Sequence, residues 1–190
     1  MRDLRQYLQD FKLSDQEIEL VLAKCIEKQF KSNAEMPNYN SFADHFYFIK
    51  QGMIRSYRII DGNDITYNFF VEGEICGDYE AVLTQKASQQ YFQAIVPTTV
   101  LIFNFSNMET LFDEHPRIER IARKVAESSF LRLLDRVIEF QSETLEQRYL
   151  KLVERHESIL KDAPLQHIAT YLGVKPQSLS RIRSKVVKNC

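Results

Sequence analysis

From Leu165 to Cys190 the chain holds no acidic residue, and its apolar residues fall at two successive helical spacings. Leu165, Ile168, Ala169 and Leu172 sit at i, i+3, i+4 and i+7, which gives a short helix one apolar face. Gly173 follows, at the place where a helix end most readily accepts a left-handed residue. Val174 can plug the corner. Pro176 suits the first turn of a second helix, where its missing N–H would be unpaired anyway. Leu179, Ile182 and Val186 then form a second buried stripe. At about 100° per residue, Gln177, Arg181, Ser184 and Lys188 lie on the outward side of that helix. The spacing predicts a helix-turn-helix.

Charge says what such a pair of helices meets. The formal net charge is −1, yet five Lys/Arg and no Asp/Glu follow Ala163, leaving the rest near −6. A near-neutral chain with one basic end suits an anionic duplex. Arg and Gln can contact base edges bidentately in the major groove, which points to Gln177 and Arg181. Lys185 and Lys188 are placed for phosphates. The competing reading is an αα-hairpin with a solvated basic face.

Elsewhere 44% hydrophobic and 27% charged residues fit a globular protein, and no run of 18 apolar residues predicts a membrane span. Met1-Arg-Asp-Leu-Arg-Gln6 has no apolar signal core. Cys25, Cys76 and Cys190 are odd in number and far apart, which predicts a reducing compartment, the cytoplasm.

Residues 3–29 read as helical, with Leu4, Leu8 and Phe11 as one stripe. A capping box at Ser14-Asp-Gln-Glu17 leads into Ile18, Val21, Leu22 and Ile26. Lys31–Ala43 reads as loop or irregular strand. From His45 the texture changes to short strands: 46–49, 53–60, 65–70, 91–96 and 100–105. Tight turns link them, among them the hairpin signal Asp61-Gly-Asn63. This spacing predicts a small β-barrel or jelly roll. A helix opens at Ser106, and a long one runs from Pro116 to about Phe140. In its first half Ile118, Ile121, Ala122 and Val125 share a side; Phe130, Leu134, Val137 and Ile138 lie nearly opposite. Such a helix must bury against two bodies, its own barrel and a partner subunit. Burial all round in a monomer is opposed by Arg123, Lys124, Glu127, Arg132, Asp135, Arg136 and Glu139. Ser142–Val153 reads as a capped amphipathic helix, and residues 157–164 as a connection.

This order of elements, with four motifs, resembles the Crp/Fnr family of bacterial transcription regulators over essentially the whole chain. Phe48-Ile-Lys-Gln-Gly52 followed by Arg55 is similar to the family's strand-Gly turn. Glu72-Gly-Glu-Ile-Cys-Gly-Asp78 is similar to its ligand cassette. Gln147-Arg-Tyr-Leu150 resembles the first helix of its DNA domain. Ile168-Ala-x-Tyr-Leu-Gly-Val-x-Pro-x-x-Leu-Ser-Arg-Ile182 is very close to its helix-turn-helix, and is the specific motif of the four.

The resemblance implies an α+β chain in three parts. Residues 1–116 would form a cyclic-nucleotide-binding-like β-roll, a double-stranded β-helix with N-terminal helices. Residues 117–141 would form a dimerisation helix, and 142–190 a winged helix-turn-helix domain. It implies a homodimer on a palindromic operator, with Gln177, Ser178 and Arg181 meeting DNA. RNA polymerase is a further partner that a regulator of this kind admits. The ligand pocket would involve Gly73, Glu74, Gly77, Asp78, Ser88 and Gln89, between 54–70 and 73–91.

Three departures narrow the expectation. Where cAMP-binding members carry an Arg-Ser or Arg-Thr pair, this chain has Ser88 and Gln89. A buried phosphate then lacks its bidentate guanidinium, and the nearest cation is Lys86. The expected effector is therefore not cAMP, and no cofactor is expected. Cys25 stands alone where iron–sulfur members have a cluster. His45, His115, His156 and His167 are isolated and read as structural residues rather than haem ligands. Lys175 replaces the usual capping Ser or Thr; it cannot accept from free N–H groups and opposes the helix dipole, so a phosphate role is expected. An enzyme of cupin type would need His-x-His for a metal, and none occurs. Nor does Ser88, Ser180 or Cys76 stand with a His partner in any motif. The remaining alternative is a sensory β-roll that acts through protein contacts.

Overall fold

A computed structural model describes residues 3–37 and 44–189, the side chains of 187–189 excepted. Two helices open it, α1 (Leu4–Asp10) and α2 (Asp15–Leu22). The Ser14 capping box forms as the sequence predicts: Ser14 accepts from the Glu17 N–H, and the Glu17 carboxylate accepts from the Ser14 N–H at 2.8 Å. The helical reading of residues 3–29 overran. The chain leaves the helix at Ala23, and β1 (Ile26–Phe30) pairs antiparallel with β8 (Thr98–Asn104). Ile26, assigned to the α2 stripe, is 72% exposed on that strand. A ladder to a distant strand outweighs a local stripe.

Among the described residues, eight strands make two four-stranded sheets. The first has the order β1-β8-β3-β6, with β3 (His45–Gln51) and β6 (Ile75–Gly77). The second has the order β2-β7-β4-β5, with β2 (Glu35–Met36), β7 (Tyr91–Ala94), β4 (Met53–Ile60) and β5 (Asn63–Val71). The β4–β5 turn is Asp61-Gly62, both at positive φ (49° and 74°), the geometry a two-residue hairpin requires.

The unbroken apolar run at Phe46–Ile49 has a simple cause. Alternate side chains of a strand point to opposite faces. Tyr47 and Ile49 enter the roll core with Phe30, Met36, Ile54, Cys76, Phe92, Ala94 and Val100. Phe48 enters a second core with Leu4, Leu8, Ile18, Val21, Met108, Leu111, Ile118 and Ile121. Strand β8 divides likewise, Val100 and Ile102 inward, Leu101 and Phe103 toward the helices.

Helix α3 (Tyr79–Thr84) lies between β6 and β7, and after β8 the described residues form α4 (Phe105–Glu114), α5 (Pro116–Ser142), α6 (Leu145–Arg155), α7 (Glu157–Asp162), α8 (Leu165–Tyr171) and α9 (Pro176–Asn189). Ser142 ends α5 and does not cap the next helix. Thr144 and Gln147 make that capping box instead. Among the described residues from 142 onward every element is a helix. The wing implied by the resemblance is not among them, and the connection 157–162 is α7.

Two compact units emerge, Met1–Ser56 with Phe70–Ser128, and Tyr57–Phe69 with Ser129–Cys190. Helix α5 contributes to both. In its first half Ile118 and Ile121 are buried. In its second half Phe130 (63%), Leu134 (43%), Val137 (44%) and Ile138 (50%) are exposed. The predicted change of side is real, and burial all round in one chain is excluded.

Candidate nucleic-acid interface

The turn between α8 and α9 is a complete Schellman motif. Val174 N–H donates to Ala169 O (2.9 Å) and Gly173 N–H to Thr170 O (3.0 Å). Gly173 has φ +72°, and a Cβ there would stand 2.6 Å from Phe140 Cε1, so glycine is needed on two counts. Ile168, Ala169, Leu172 and Leu179 are buried, Ile182 and Val186 half-buried, as their spacing predicts. Burying this stripe fixes the opposite face outward: Lys175, Gln177, Arg181, Ser184 and Lys185 are exposed, and Ser178 is half-buried at the flank. The Lys188 side chain lies outside the described residues.

Lys175 occupies the position before Pro176, where its carbonyl accepts from Ser178 and Leu179. Its side chain supplies no acceptor to the helix start, in keeping with the departure seen in the sequence. Ser184 Oγ donates to Ser180 O at 3.0 Å. Lys185 Nζ lies 2.6 Å from Glu146 Oε2 near the start of α6.

Sequence reasoning missed what holds this pair of helices. Arg136 of α5 places its guanidinium 3.8 Å from the Tyr171 ring centroid and donates to Tyr171 O at 2.5 Å. Burial pulls the Arg136 pKa down from its ordinary value, against the opposing pull of Tyr171 and Glu139. The only signal available was that Arg136 and Phe140 are four residues apart, hence on one helix face.

The cassette is built differently. Asp78 is 1% exposed and begins α3, accepting from Ala81 N–H at 3.1 Å. Ser88 Oγ donates to Asp78 Oδ2 at 2.5 Å, and Gln90 Nε2 to Oδ1 at 3.2 Å. Ser88 is buried with it, whereas Gln89 points outward and Gln90 takes the inward place. Glu74 accepts from Val71 N–H at 2.9 Å across the Gly73 turn, and Gly77 pairs with Phe46 on β3. Between the sheets Tyr47, Ile54, Phe92 and Cys76 are each at most 2% exposed, and the Tyr47 hydroxyl donates to Pro37 O. Burial pushes the Cys25 thiol up to about 11 and the Cys76 thiol well above its ordinary value, so neither is an activated nucleophile. Among the described residues no three His, Cys, Asp or Glu gather as a metal site, and no helix is long and apolar enough to cross a membrane.

Comparison with known proteins agrees with this architecture. Residues 27–115 match the sequence profile of the family described as the cyclic nucleotide-binding domain. Among solved structures, FixK2 from Bradyrhizobium japonicum is similar at TM-score 0.75 and 17% identity, over 87% of this chain and 85% of that one. A putative transcriptional regulator of the Crp/Fnr family from Eubacterium rectale gives 0.73 and 16%, over 93% and 85%. The c-di-GMP responsive global regulator CLP from Xanthomonas campestris gives 0.71 and 14%, over 93% of both chains. No curated protein matches the sequence. The chain thus carries a cyclic-nucleotide-binding-type roll within the fold of Crp/Fnr transcription regulators.

Proposed function

We propose that the protein is a homodimeric, sequence-specific DNA-binding transcription regulator of Crp/Fnr type whose effector is not cAMP. The observation that carries this is the outward, acid-free face of α9, with Lys175, Gln177, Arg181 and Ser184 exposed. Arg181 and Gln177 read base edges, with Ser178 at the flank. Lys175, Lys185 and Lys188 meet phosphates. Residues 1–116 are the roll, 117–141 the dimerisation helix and 142–190 the DNA domain. The exposed apolar residues of α5 pair with a second copy, giving two α9 helices for successive major grooves about one helical turn apart. Its compartment is the cytoplasm, the reducing setting that three scattered cysteines suit.

The cassette residues speak against cAMP. A bound phosphate needs donors, and here Ser88 and Gln90 already donate to the buried Asp78 carboxylate. Any effector enters near Gly73, Glu74, Gly77 and Asp78, where positions 88 and 89 offer Ser and Gln and no guanidinium to hold an anion.

Selection from a randomised duplex pool tests the reading. A palindrome with half-sites about one turn apart is expected, and enrichment of no sequence at low salt would sink it. Calorimetric titration with cAMP is expected to show no binding in the micromolar range, and micromolar binding would remove that part alone.

A further inference from the structure

We infer that Arg136 and the β4–β5 hairpin are positioning elements for DNA reading: together they grip Tyr171 and set the angle at which α9 stands to α5. The inference rests on the DNA-binding reading above and deepens it. Tyr171 is the last residue of α8, two residues before the Gly173 turn from which α9 departs.

Several independent contacts converge there. The Arg136 guanidinium stacks on the Tyr171 ring and donates to its carbonyl, one of the acceptors a helix end leaves unpaired. A cation at that end also suits the helix dipole. One turn further along α5, Phe140 fills the space that glycine leaves at 173. Arg136 and Arg148 lie 5.0 and 4.4 Å from the Phe140 ring centroid. From the hairpin, Phe69 meets the Tyr171 ring nearly edge-on at 5.2 Å. Thr66 N–H donates to Thr170 Oγ1 at 3.1 Å. Thr66 is 1% and Phe69 6% exposed, so this brace is a packed contact.

The consequence is geometric. The Schellman turn ties α9 to α8, the clamp ties α8 to α5, and α5 carries the apolar face that a second copy would cover. Loosening the clamp leaves the base-reading side chains intact but frees the distance between two α9 helices. Half-site spacing is the quantity that reports it. Lysine keeps the charge at 136 but loses the planar stack and fork.

The test uses the full chain and the duplex that the wild type selects from a random pool, made also with spacers lengthened or shortened by one base pair. Wild type is expected to bind the altered spacers about tenfold more weakly, the scale of a single mismatch. Arg136→Lys and Phe69→Ala should each bring that ratio toward unity, with the salt slope unchanged because neither residue reaches a phosphate. Tyr171→Phe keeps the ring and the carbonyl and should keep the wild-type ratio. An unaltered ratio in Arg136→Lys, with thermal unfolding near wild type, would overturn the inference. A shallower salt slope in that variant would too, because it would make Arg136 a phosphate contact. Amide exchange in the free variants is a readout independent of DNA: Arg136→Lys should speed exchange of the Leu172 N–H, and Phe69→Ala that of Thr66. Protection as in wild type in both would refute the clamp. Failure of wild type to select any duplex would instead remove the DNA-binding reading, leaving the exchange result to judge the clamp.

Discussion

The cassette around Asp78 and the outer face of α9 are both polar, and they use polarity in opposite ways. In the cassette a buried carboxylate meets three donors of its own chain, from Ala81, Ser88 and Gln90. On α9 Gln177, Arg181, Ser184 and Lys185 face outward, and Lys185 pairs there with Glu146. A polar group that the fold has satisfied contributes to stability. A polar group that the fold has aimed outward without a partner is available to a ligand. The difference separates scaffold from site more sharply than residue type does, since Ser, Gln and a charge occur in both.

The largest way to break this contrast is Asp78→Ala. It strands the Ser88 hydroxyl and the Ala81 N–H in a buried place, and a loss of about 3 kcal/mol in urea unfolding is expected. DNA affinity of the folded fraction should not change. A cost under about 0.5 kcal/mol would mean the cassette is not closed by this network.

Arg181→Ala is the mirror experiment. Its unfolding free energy should move by less than about 0.5 kcal/mol, as for an exposed position. Binding to the selected duplex should weaken by about 1–3 kcal/mol and lose discrimination at one base position. Equal weakening across all sequences would turn Arg181 into a phosphate contact.

Lys175→Ser sits between the two regions in kind. The hydroxyl would cap α9 and stabilise the fold by about 1 kcal/mol. It would remove a cation, so DNA binding should weaken while thermal stability rises. Tighter binding by the variant would count against a phosphate role for Lys175.

How legible each region was in the sequence follows from the range of its interactions. The helix-turn-helix is written in local signals. Leu165–Leu172 repeats at helical spacing, Gly173 stops it and Pro176 restarts it, and each of these acts within a turn or two. The switch of apolar side along α5 is also local, and exposure of Phe130, Leu134, Val137 and Ile138 follows it. The cassette depends on which residue of Ser88-Gln89-Gln90 turns inward, and that is fixed by a helix start ten to twelve positions away. Counting along the chain put Gln89 where the fold puts Gln90. The clamp was illegible for the same reason. Arg136 looked like one of seven charges interrupting an apolar side, and its partner carbonyl lies 35 positions on. Thr66 and Thr170 are 104 positions apart. Strand β1 was misread because its pairing partner comes some seventy residues later.

Lys185 is where the two uses of polarity meet, and its substitution carries the smallest and most diagnostic effect. In the free protein its ammonium is held by Glu146, an exposed pair of the kind worth about 0–1 kcal/mol. A duplex phosphate can displace that carboxylate, because the phosphate row carries a stronger field than one partly exposed Glu. If the exchange happens, Lys185→Ala weakens all sequences alike and makes the salt slope shallower by up to about 1. Glu146→Gln then strengthens binding at low salt, since the ammonium no longer has to leave a partner. An unchanged slope in Lys185→Ala would show that the pair stays closed on DNA. Lys185 would then belong with Asp78 among the groups the fold has already satisfied, and the reading face would shrink to Lys175, Gln177, Arg181 and their neighbours.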